Sequence, residues 1–148
     1  MIAWRTTKRR HPSFDGTGAE IAGARWNSAG RPVIYAADSF AGSILEIIAH
    51  ARRPRTLPGP HHAVEITIPD ELVVHLHPIP DGWDVNNSPV AIRHGERWLN
   101  DAVSPVFVVP ALPGRPIARN VLINPDHPDI GRIVVSEPFA VPWDERLF

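Results

Sequence analysis

Residues 23–52 read GARWNSAGRPVIYAADSFAGSILEIIAHAR, and three local signals in that order decide the fold class. Gly23 and Gly30 belong to a glycine-rich stretch over 11–30 that also holds Gly16 and Gly18. Glycine lets a backbone pass close to its own chain or to a ligand, so this stretch reads as a loop that approaches something closely. Pro32-Val33-Ile34-Tyr35-Ala36 then reads as a short buried strand. Asp38 or Ser39 can cap the next helix by accepting an orphan backbone N–H. That helix is predicted over 39–52, because Ile44, Leu45, Ile47, Ile48 and Ala51 build an apolar face at helical spacing. Gly42 costs it about 1 kcal/mol and suggests a tight crossing. Arg52 and Arg53 suit its C-terminal end, and Pro54 prevents clean continuation.

Outward from this segment the chain alternates short apolar runs with turn signals. Residues 1–5 can open with a strand. Ala63–Ile68 alternates as a half-buried strand, and Glu71–Leu76 is a second extended candidate. The stretch 77–90 is turn-like, and 90–101 predicts a short helix carrying Ile92, Trp98 and Leu99. Pro105–Pro110, Val121–Ile123 and Ile133–Val135 are further strands, and the tail 137–148 reads as irregular but folded back through Phe139, Trp143 and Phe148. Five or six strands and two or three helices that do not alternate regularly imply an α+β domain with mixed or antiparallel sheets. Nothing marks a domain boundary, so 1–148 reads as a single compact domain. The 17 prolines are dispersed, which fits many short elements with stiff connections.

The bulk numbers exclude several functions. The chain has 148 residues and no cysteine, so a disulfide framework, a cysteine zinc site and a thiol nucleophile are out. Lys plus Arg is 15 against 16 for Asp plus Glu, which is not the balance of a direct nucleic-acid binder. The basic groups at 8–10 and 52–55 read as solvated faces. No signal peptide follows Met1, and no run approaches the roughly 18 apolar residues of a membrane span, so a cytoplasmic, membrane-free protein is expected. His61-His62 and His75-x-His77 lack a third ligand at diagnostic spacing, so no metal is expected.

Residues of catalytic type are dense over 23–46. Arg25, in a glycine-rich loop, suits a phosphate or carboxylate, or a structural ion pair. Tyr35 is either a core tyrosine with a bonded hydroxyl or a stacking surface for a heteroaromatic base. Glu46 lies about 100° from both Leu45 and Ile47 at helical spacing. It is therefore either a boundary glutamate or a carboxylate facing a cleft. Asn124 and His127 around Pro125 form a polar turn that fits an Asx-capped corner.

The ordered pieces Phe14–Ala19, Gly23–Ala36, Leu45–His50, Val109–Ala111, Asn120–Pro128 and Glu137–Phe139 together resemble the RES-domain family, the toxins of bacterial RES–Xre toxin–antitoxin pairs. The resemblance spans nearly the whole chain. It implies an ADP-ribosyltransferase-like fold and NAD+ as substrate without a metal. It also implies cleavage of the nicotinamide–ribose bond by hydrolysis or phosphorolysis, or else ADP-ribosylation of a protein target. Catalytic roles carry over to Arg25, Tyr35 and Glu46, and substrate contacts to Arg25, Trp26, Asn27, Tyr35, position 111 and Asn124. The implied partner is a small helix-turn-helix antitoxin of the Xre type, in an oligomeric toxin–antitoxin complex. The family's third signature residue, a serine after Val-Pro, is here Ala111. Another hydroxyl such as Ser104 or Ser136 then has to reach the site, or the serine is dispensable, or the chain is a weakened antitoxin-binding protein.

Overall fold

The computed structural model describes residues 1–148 apart from Arg52 and Pro54. Among the described residues eight strands form one sheet. They are β1 (Ile2–Lys8), β2 (Ile34–Ala37), β3 (His61–Thr67), β4 (Val73–His75), β5 (Val106–Pro110), β6 (Arg119–Ile123), β7 (Val134–Val135) and β8 (Phe139–Ala140). Their order is β4-β5-β6-β2-β1-β3-β7, with β8 also paired to β3. Among the described residues only the β4–β5 pair is parallel, so the sheet is mixed as expected. The described residues also form α-helices α1 (Thr17–Ala22), α2 (Phe40–Ala49) and α3 (Pro89–Asp101).

Period-two alternation divides the buried side chains between two faces. One face carries Ala3, Ile34, Val64, Ile66, Val121 and Ile123, closed over by Leu72 and Ile133. The other carries Phe107, Val109 and Leu122, packed against Trp26, Trp83 and the α3 residues Ala91, Trp98 and Leu99. Full burial of one such aliphatic or aromatic side chain contributes about 1.5–3 kcal/mol.

Several elements differ from expectation. The 11–30 stretch contains α1, which begins where Asp15 Oδ1 accepts the Thr17 N–H at 2.8 Å. This helix buries no residue and leaves Ile21 74% exposed, so it writes no amphipathic pattern into the sequence. Helix α2 ends at Ala49 with His50 as its cap, three residues short of the predicted end. The expectations for Arg52 and Pro54 lie outside the described residues. Of the two capping candidates, Ser39 does the work, its hydroxyl accepting the Gly42 N–H at 3.0 Å. Residues Asp70–Leu72 make a 3₁₀ turn before β4 instead of extended chain. The tail is less irregular than expected, since β8 brings Phe139 against Trp4 and Phe40 at ring separations of 6.4 and 5.8 Å.

Candidate active site

The register of the central strands builds the floor. Trp4 pairs with Ala37, Tyr35 with Leu122, and Ala37 with Asn120, so these side chains share a face. Helix α2 crosses that face. Thr6 of β1 and Ser43 of α2 join through their hydroxyls at 2.8 Å, and Ser43 donates onward to the Phe40 carbonyl at 2.8 Å. Each hydroxyl has one proton, so Thr6 is the donor to Ser43. Glu46 follows Ser43 by three positions and lies on the same helix face. Between α2, this floor and the loop after α1 lies a cavity of about 870 Å³.

Arg25, Trp26, Asn27, Tyr35 and Glu46 all line that cavity. Arg25 donates through Nη1 to the carbonyls of Trp83 and Val85, at 3.0 and 2.8 Å. It thereby pins the 83–85 loop to the site. Its Nε and Nη2 hydrogens have no protein acceptor, and it has no ion-pair partner, among the described residues. A guanidinium held by one nitrogen keeps most of its donor fork available to an anion.

Glu46 faces the cavity with its side chain 24% exposed. Its Oε1 accepts from Asn120 Nδ2 at 2.9 Å, and its Oε2 lies 3.6 Å from His50 Nδ1. Tyr35 places its ring at the cavity wall and its hydroxyl in a loop network. The hydroxyl donates to Asn27 Oδ1 at 2.7 Å and accepts the Trp26 N–H at 3.2 Å. Asn27 passes the connection on, donating to the carbonyls of Ala19 and Ser28, both at 3.0 Å. Burial pushes the Tyr35 phenol above its ordinary value, only partly opposed by the Trp26 N–H and the Arg25 charge. The phenol therefore stays neutral across the neutral pH range, and a pH–rate limb there has another origin.

Removing that hydroxyl orphans the Trp26 N–H and Asn27 Oδ1 together. Tyr35→Phe is expected to cost about 2 kcal/mol. That corresponds to a melting temperature lower by roughly 4–8 °C, read by thermal unfolding against the parent protein. An unchanged melting temperature would remove the network from the account.

The remaining candidates are placed differently. Trp26 is 1% exposed, stacked on Trp83 at 6.1 Å and edge-on to Phe107 at 6.5 Å, so most of its surface belongs to the core. Ala111 is 3% exposed just past β5, its N–H bonded to the Ala118 carbonyl. It lies outside the cavity lining, although Leu112 and Pro113 line it. Asn124 is buried away from the cavity, its Oδ1 accepting the Asp126 N–H at 3.0 Å, which is the capped-corner arrangement. Neither substitute hydroxyl reaches the site. Ser104 bonds to the carbonyls of Leu72 and Val106, and Ser136 to the Glu65 N–H and the Glu137 carbonyl. The hydroxyls that do line the cavity include those of Thr6 and Ser43.

Asn120 and the Thr6–Ser43 pair carried no separable signal in the sequence. Their roles arise from strand pairing and from the crossing of α2. His50, by contrast, could be found from its i,i+4 spacing to Glu46. Among the described residues no group of three or more histidines and carboxylates is arranged to hold a metal, and no helix is long and apolar enough to cross a membrane.

The model of the RES domain matches residues 2–144. The chain belongs to the RES-domain family. A relative in Sphingobium sp. (strain YBL2), Prs ADP-ribosylating toxin, is 36% identical over 154 residues, covering 97% of this chain and 94% of its own. Toxin Res of Pseudomonas putida is 33% identical over 151 residues, covering the whole of both chains. The RES domain also superposes on a chain in the crystal structure of the M. tuberculosis MbcT–MbcA toxin–antitoxin complex, with a TM-score of 0.73. The match covers 95% of this chain and 83% of that one at 19% identity, so it is a likeness of fold.

Proposed function

We propose that this RES domain is an NAD+-consuming toxin that cleaves the nicotinamide–ribose bond and is neutralised by a cognate helix-turn-helix antitoxin. The observation that carries the reading is the convergence of Arg25, Tyr35 and Glu46, distant in sequence, on one cavity of about 870 Å³. That volume lies in the range of ligand sites, roughly 300–1,000 Å³. Support for the toxin class comes from the relatives named as toxins, and for a partner from the toxin–antitoxin complex with the same fold.

The chemistry follows from the groups present. The free donors of Arg25 hold the pyrophosphate by charge-assisted bonds. The Tyr35 ring flanks the nicotinamide end. The C1′–N bond breaks with its electron pair going to nicotinamide, which leaves neutral, so no strong acid is required. Positive character develops at the anomeric carbon, as in glycoside cleavage, and the Glu46 carboxylate opposes it. Water or phosphate then bonds to that carbon. In the hydrolytic case the water proton passes to Glu46 and on to solvent.

The test incubates purified protein with NAD+, with and without inorganic phosphate, and measures free nicotinamide. Release is expected, falling about 100-fold in Arg25→Ala because the pyrophosphate loses its clamp. Release no greater than that of the variant removes the proposal. A phosphorylated ADP-ribose product identifies phosphorolysis. A second reading, ADP-ribosylation of a protein, draws on the name of the Sphingobium relative. NAD+ labelled in its adenylate then leaves label on a polypeptide in lysate, and protein free of label counts against it.

A further inference from the structure

We infer that Asn120 is the positioning residue of Glu46, fixing which carboxylate oxygen meets the substrate. The inference rests on the proposed NAD+ reading for its catalytic consequence, but its structural content stands independently. Asn120 sits in β6 between two antiparallel partners, opposite Ala37 of β2 and Val109 of β5. Its backbone is therefore held on both sides, on a rigid part of the scaffold. Ala37 is small, which leaves the Asn120 amide room to cross the floor toward α2. It reaches Glu46, 74 positions away in the chain, at 2.9 Å.

The direction of that bond has a chemical meaning. An ionised carboxylate only accepts, so the amide must present Nδ2–H to it, as the geometry has it. Glu46 belongs to the last turns of α2, where the helix's negative end disfavours an anion. A neutral donor from the sheet opposes that effect without cancelling the charge the reaction needs. Oε1 is then committed to Asn120, and Oε2 is the oxygen left for a ribose hydroxyl or the attacking water. A free glutamate side chain samples several rotamers, whereas this one is held from outside its own helix. Orientation of this kind contributes to the barrier without contributing to substrate affinity.

The effect on turnover is expected in kcat and not in KM. Asn120→Ala should lower kcat for nicotinamide release about 10-fold or more, with KM within about twofold. Asn120→Asp is isosteric but puts a carboxylate against Glu46, so a larger loss is expected. The decisive comparison is a double-mutant cycle. In a Glu46→Ala background, where Asn120 has no acceptor at position 46, Asn120→Ala should cost nothing further, because Asn120 acts only through the carboxylate. A purely structural role would give the same loss in both backgrounds and would overturn the inference.

A second measurement does not depend on turnover. The Asn120 side-chain amide pair, assigned in a ¹⁵N spectrum by its absence in Asn120→Asp, should show one displaced hydrogen that returns to ordinary position in Glu46→Ala. An amide pair unaffected by Glu46→Ala sinks the inference. If the parent protein releases no nicotinamide, the NAD+ proposal falls while this spectrum still decides whether Asn120 holds the carboxylate.

Discussion

Glu46→Gln should lower nicotinamide release by about 10²–10³-fold while leaving the protein folded. Glutamine keeps the length of the side chain and an oxygen where Oε1 stands. The 2.9 Å bond from Asn120 therefore survives, and no buried donor is orphaned. Among the described residues its carboxylate accepts no other side-chain hydrogen bond, and His50 lies 3.6 Å from Oε2. What disappears is one negative charge at the cavity wall. Two unit charges 4 Å apart interact by about 4 kcal/mol at an effective dielectric near 20. An interaction of that size, present only as the anomeric carbon becomes positive, corresponds to about three powers of ten in rate. Steady-state kinetics with a parallel thermal melt check it. Turnover within threefold of the parent would show that the carboxylate is not aimed at the reacting carbon. A melting temperature many degrees lower would show instead that the charge is part of the fold.

The legible part of this site lies in local chemistry. The Ser39 cap and the apolar spacing after it mark helix α2, and the glycine-rich loop and the strand before it bring Arg25 and Tyr35 into view. Glu46 could not be assigned to solvent or cleft from spacing alone, because its direction depends on where α2 crosses the sheet. The crossing is set by contacts from β1, which the sequence does not advertise: the Thr6–Ser43 hydroxyl pair and the packing of Phe40 on Trp4 at 5.7 Å. Asn120 is a polar residue at the start of an apolar strand, and only its pairing opposite Ala37 reveals what it reaches. Helix α1 escapes detection because it buries nothing. Asn124 looked like a substrate contact by resemblance, but its side chain accepts the Asp126 N–H in the following turn and does not line the cavity. Non-local pairing decides these outcomes, and short periodic windows do not contain it.

The largest stability loss is expected from Gly95→Ala. On paper this change should help: Gly95 lies inside α3, where alanine is favoured by about 1 kcal/mol. The packing opposes it. A Cβ at position 95 would stand 1.7 Å from the Trp26 carbonyl oxygen and 2.7 Å from its carbonyl carbon. Those atoms are backbone and cannot rotate away. Either α3 lifts from the core formed by Trp98, Leu99 and Phe107, or the turn bearing Trp26 moves. Lifting α3 loses close packing, and overpacking of this sort costs about 3 kcal/mol. Moving the turn displaces Arg25 and breaks the Trp26 N–H contact with Tyr35, so the site is distorted as well. The melting temperature should fall by roughly 6–12 °C, with substrate affinity falling alongside. Gly18→Ala is the matched control, because Gly18 is also helical and has nothing within 4 Å of a built Cβ. It should be neutral or stabilising by up to about 1 kcal/mol. If Gly95→Ala melts at or above the parent temperature, the close crossing of α3 over the Arg25 turn does not exist in solution, and the cavity loses the element that holds its cationic wall in place.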